Sequence, residues 1–127
     1  MTFARRVFLI AGIYGLVVLA PQYFLERRIG VDQPPPITHP EYFYGFVGVA
    51  LAWQLAFLII AHDPVRYRAI MLPGIVEKVS FGAAAIALYA QGRLAPMMLA
   101  AGLGDLVFAV LFGVAIWATR PSPTAGP

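Results

Sequence analysis

The chain has 127 residues, 61% of them hydrophobic and only 12% charged, against about 45–50% and about 25% in soluble domains. One soluble domain of this length cannot hide so much apolar side chain, whereas a bilayer requires none of it to be hidden. The net charge of +3 comes from basic residues scattered at the ends of apolar runs, a pattern of membrane anchoring that excludes a nucleic-acid surface. The sequence contains no cysteine, which excludes disulfides and thiol chemistry.

Arg5 and Arg6 precede an apolar run that continues through Tyr23, Phe24 and Leu25. The opening has the outline of a signal peptide, with small residues near Ala20. Because Pro21 follows directly, the run reads as a retained first transmembrane helix over residues 4–25. Residues 26–40 read as a polar connector. Arg27 and Arg28 end the helix, Gly30 supplies a C-terminal cap, and Pro34, Pro35 and Pro36 stiffen the segment as polyproline II. Thr38 and Glu41 have capping-box spacing around Pro40.

The second span, residues 40–61, opens with Tyr42, Phe43, Tyr44 and Phe46, suited to a headgroup boundary. Gly48, Ala52 and Ala56 recur every fourth residue and predict a close-packing face. Asp63-Pro64 ends the helix. The third span, within 67–91, has an ambiguous start. From Tyr67 or Arg68, Glu77 and Lys78 lie about 13–15 Å deep, near a bilayer midplane. From Pro73, they sit about one turn in, as an interfacial pair. Gly92, Arg93 and Pro96 turn the chain into the fourth span, residues 94–119, and residues 121–127 read as a flexible tail.

The expected fold is therefore all-α: an integral membrane four-helix antiparallel bundle with up-down-up-down topology, one domain over residues 1–120. Arg5, Arg6, Arg66, Arg68 and Arg120 fall on one side and Arg27, Arg28 and Arg93 on the other. The richer side is expected to be cytoplasmic, with both termini there, in a bacterial-type inner membrane.

Asp105 interrupts the most apolar run near its centre, where a carboxylate costs roughly 2.5–3.5 kcal/mol on insertion scales. Its neighbours at helical spacing, Ala101, Ala109 and Gly113, form a smooth strip on which another backbone can lie, so the acid is expected to face protein. It serves either as a proton-exchanging or ligand-binding acid or as a tie between helices. If Glu77 and Lys78 are deep, Lys78 neutralises Asp105 across the bundle and Glu77 is the catalytic or coupling acid. Tyr14, Trp53 and Gln54 occupy interior depths, and with Lys78, Glu77 and Asp105 they outline a mostly apolar ligand pocket. Taken singly, each of the three is as readily a packing residue. His39 and His62 fall on opposite sides, no grouping has metal-ligand spacing, and His62-Asp63 reads as a helix-end cap. No metal and no cofactor is expected.

The third span, Leu72-Pro73-Gly74-Ile75-Val76-Glu77 followed by Gly82 and a small-residue run to Gly92-Arg93, resembles the third helix of DoxX-like small bacterial membrane proteins. More distantly, the helix count is similar to EXPERA-type proteins, which hold sterol-like ligands on interior acids. The resemblance covers about a quarter of the chain and implies that Glu77 stands where the family carries a glutamate. Lys78 departs from that pattern, and Asp105 matches no family motif. Two functions follow as expectations: a binder or transformer of a lipophilic small molecule, and an accessory subunit of a larger membrane complex, joined to a partner or a second copy through small-residue faces. A proton-coupled exporter of the small multidrug-resistance kind resembles the chain in size, but residues 7–25 contain no acid where such proteins place theirs.

Overall fold

The computed structural model describes residues 2–121; most of the expected flexible tail, residues 122–127, lies outside the described residues. The protein is all-helical. α1 (Thr2–Leu19) runs into a 3-10 turn over Ala20–Phe24, α2 (Glu26–Asp32) is short, and α3 spans Pro40–His62. A 3-10 turn at Arg68–Ile70 leads into α4 (Met71–Ala90), and α5 covers Pro96–Ala118. Counting the adjoining turns, four helical stretches of 23 residues each are long and apolar enough to cross a membrane.

Proline and glycine set the boundaries. Pro40 and Pro96 occupy first-turn positions of α3 and α5, where a missing N–H costs nothing. The Thr38–Glu41 capping box does not form, because His39 takes the N-cap position and Glu41 Oε1 instead meets His39 Nδ1 at 3.2 Å. α4 ends in a Schellman motif: Gly92 N–H donates to Tyr89 C=O at 2.9 Å and Arg93 N–H to Leu88 C=O at 2.8 Å, with Gly92 at φ +70°. That left-handed backbone favours glycine, so Gly92→Ala is expected to lower stability by about 1–2 kcal/mol. Thermal unfolding followed by circular dichroism checks it; an unchanged midpoint would mean the turn relaxes.

Residues 26–40 are not simply a connector. Glu26–Asp32 is helical, and Gly30 lies inside α2 beneath Pro36 and not at a C-cap. Leu25, Ile29 and Gln33 recur every fourth residue and so share one face, which is turned toward the interior.

α1 packs along α3 and α4 along α5, and the two pairs meet chiefly through α1 and α5; α3 and α4 touch only briefly. The core lies toward the end that carries Arg5 and Arg68. There Phe8 stacks on Phe112 at 4.2 Å between ring centroids, and Phe57 meets Phe112 edge-on at 5.0 Å. At the same end, Arg5 Nε donates to Ala61 C=O and Arg68 Nη2 to Ile116 C=O. Each cation thereby satisfies a carbonyl in the last turn of a neighbouring helix, where the dipole is negative.

The close crossings differ from the expected one. On α3 the buried residues are Val47, Ala50, Gln54, Phe57, Ile60 and Ala61, while Ala52 of the predicted Gly48/Ala52/Ala56 strip faces outward. Four-residue recurrence of small side chains marks a face on which a backbone can lie, but here Phe57 and Ile60 interlock with the neighbouring helices and their packing sets the face. α4 and α5 come closest at Gly82 and Gly102, where a Cβ on Gly102 would fall on the Ala85 side chain.

Candidate functional site

The continuous Arg68–Ala90 stretch settles where Glu77 and Lys78 sit. The helix is already under way at Pro73, so Glu77 lies about 14 Å beyond Arg68, midway along the stretch. Asp105 lies midway along α5 and Gln54 just past the middle of α3. These polar side chains meet at one level because the helices that carry them have equal lengths.

Lys78, the only lysine in the sequence, is 3% exposed. Its Nζ stands 3.5 Å from Asp105 Oδ1 and 3.7 Å from Glu77 Oε2. The same ammonium lies 5.3 Å from the Phe57 ring centroid and 5.4 Å from that of Phe108, within cation–π range. Both carboxylates stand farther off than the 2.7–2.9 Å of a tight charge-assisted hydrogen bond. Two carboxyl groups around one amine therefore form a loose cage.

Two buried acceptors have no hydrogen-bond donor among the described residues: Glu77 Oε2 and Gln54 Oε1. Gln54 is 1% exposed, and its Nε2 donates to Ala50 C=O at 2.8 Å. Exchanging the amide's two ends would set oxygen against oxygen, so this bond fixes Oε1 as the unpaired atom.

A cavity of about 610 Å³ reaches this cage. Tyr14, Gln54, Glu77, Lys78 and Asp105 line it, and the expected pocket residues come together with one exception. Trp53 packs against Phe57 at 6.2 Å and instead lines a second cleft, of about 810 Å³, between α3 and α4. Phe46, Ala50, Glu77 and Phe81 border both spaces.

The apolar remainder of the wall was not expected from the sequence: Phe43 and Phe81, the methionines Met97 and Met98, and the face of α2 that closes one end. For α2 the signal was present as Leu25, Ile29 and Gln33 at four-residue spacing, set against Arg27, Arg28 and Asp32. The methionines carried no comparable signal. Volume and lining suit a small, mainly apolar molecule with a few polar anchor points. Among the described residues no three His, Asp or Glu side chains gather as a metal site requires. No family model, curated protein or solved structure matches this chain.

Proposed function

We propose that the protein is an integral membrane, antiparallel up-down-up-down bundle that binds a lipophilic small molecule in the interior cavity, at the Glu77–Lys78–Asp105 cage. The observation that carries this reading is the cavity itself, whose mostly apolar wall ends on a buried lysine held loosely between two carboxylates. Ionisable side chains at such a depth are expensive, and substrate pathways and ligand counter-ions are among the uses that repay them. The bundle topology is supported by the Arg5–Ala61 and Arg68–Ile116 contacts, which pair the start of one helix with the end of another. Five arginines at that end against three at the other favour placing it in the cytoplasm, with an inner-membrane location. The DoxX-like likeness of α4 agrees with a role for Glu77.

Mass spectrometry of the protein after gentle detergent extraction tests the reading. A bound small lipophilic mass is expected, and Met98→Trp, which fills the cavity from its wall, is expected to abolish it. Retention of that mass by Met98→Trp would place the ligand elsewhere, and its absence from the natural protein would defeat the reading. The outward Ala52 on α3 is the feature that favours the second reading, an accessory subunit. Recovery of a stoichiometric membrane protein partner in the same spectrum, without a small molecule, would decide for it.

A further inference from the structure

The interior cavity is covered at one end and open at one side. Its end is covered by Leu25, Ile29, Gln33 and Ile37, contributed by α2 and the segments flanking it. Its side is the gap where α3 and α4 part. They touch where Phe57 meets Gly74, then separate toward Glu41 and Ser80, leaving the second cleft between them. Phe46 and Phe81 stand across the boundary of the two spaces with ring centroids 6.3 Å apart.

The cleft runs along α3 from Glu41 to Trp53. Twelve residues of helix span about 18 Å, close to half of a ~30 Å hydrocarbon core. It thus extends from the headgroup level of one leaflet to the bilayer midplane, and its wall is apolar except at its two ends. At the inner end is Glu77, whose Oε2 has no hydrogen-bond donor among the described residues; Gln54, whose Oε1 also has none, lies beyond it in the interior cavity. A buried acceptor left unpaired costs about 1–3 kcal/mol, and a ligand that donates a hydrogen bond removes that cost.

We propose that the α3–α4 cleft is a sideways entrance from the bilayer for a single-chain amphiphile with a hydrogen-bond-donating head, of the long-chain alcohol or amine class. The head reaches Glu77 and Gln54 past Phe46 and Phe81, and the hydrocarbon chain stays in the cleft. This rests on the ligand-binding reading above and adds the route and the head chemistry. Phe46 and Phe81 act as the gate. A molecule entering by the headgroup side must instead displace α2.

The test exploits the absence of native cysteine. Phe46→Cys/Phe81→Cys protein in phosphatidylcholine vesicles is exposed to a long-chain alcohol that carries a diazirine within two carbons of its head, the matching amine and the matching methyl ether. After photolysis, labelled peptides are mapped. The alcohol or the amine is expected to label the Met97–Met98 region and the ether is not. Bridging the two cysteines with a short bis-thiosulfonate reagent is expected to abolish that labelling, and reductant to restore it in the same sample. Labelling that survives the bridge would overturn the entrance and leave the site standing. Equal labelling by the ether would overturn the donor head. Absence of labelling by every probe in the unbridged protein would overturn the binding reading itself.

Discussion

Replacing Lys78 with methionine is expected to destabilise the protein by about 3–5 kcal/mol, the range for removing one partner of a buried ion pair. Methionine is one atom shorter but nearly equal in volume and equally unbranched, so the loss is chiefly charge. Asp105 and Glu77 would then stand near one another with the cation that lies 3.5 and 3.7 Å from them removed. The double variant Lys78→Met/Asp105→Asn is expected to recover most of that loss, because the acid nearest the lysine is neutralised with it. Chemical unfolding in detergent, followed by circular dichroism, gives both values. A single variant as stable as the natural protein would show that the cage carries no charge interaction. A double variant no better than the single would show that the loss does not come from leaving Asp105 without its cation.

The Lys78–Asp105 contact was legible because a charge inside an apolar run has few ways to be accommodated: only protein or another charge can shelter it. Equal helix lengths then bring Gln54, Lys78 and Asp105 to one level, which hydropathy alone could anticipate. Helix faces were not legible in the same way. Gly48, Ala52 and Ala56 form as regular a strip as any in the chain, yet the structure turns α3 so that Phe57 and Ile60 are buried and Ala52 is not. In helices apolar on every side, no polar face breaks the symmetry, and the choice falls to side-chain fit. Trp53 moved from the expected pocket to the neighbouring cleft for the same reason. α2 was hidden differently: seven residues containing a glycine look like a loop until their apolar spacing is set against a cavity that needs covering.

Gly102→Leu is the second large effect, expected to cost about 1–3 kcal/mol and to lie at the upper end of that range. A Cβ there falls on the Ala85 side chain, itself 2% exposed, with Gly82 backbone atoms behind it at 3.6 and 3.8 Å. A methyl branch and a helix backbone cannot swing aside as the tip of a long side chain does, so α4 and α5 must separate. Separation also moves Lys78 away from Asp105, since the two belong to these helices. Gly113→Leu on the same helix is the matched control: nothing lies within 4 Å of a Cβ added there, and its effect is expected to stay within about 0.5 kcal/mol. Equal stability of the two variants would mean that the crossing at Gly102 is not the tight point of the fold.

Lys78 is the only side-chain amine in the molecule, and that permits a direct test of whether a loosely caged ion pair is sealed within the bilayer. The protein in permeabilised vesicles is treated with a water-soluble acylating ester, and modification of the Lys78 peptide is measured against Arg93→Lys, which places an amine in the exposed turn before α5. The expected result is rapid acylation at position 93 and none at Lys78 until detergent and denaturant unfold the chain. Acylation of Lys78 at a rate matching position 93 would put the cage in water, and the sealed ligand site would fall with it.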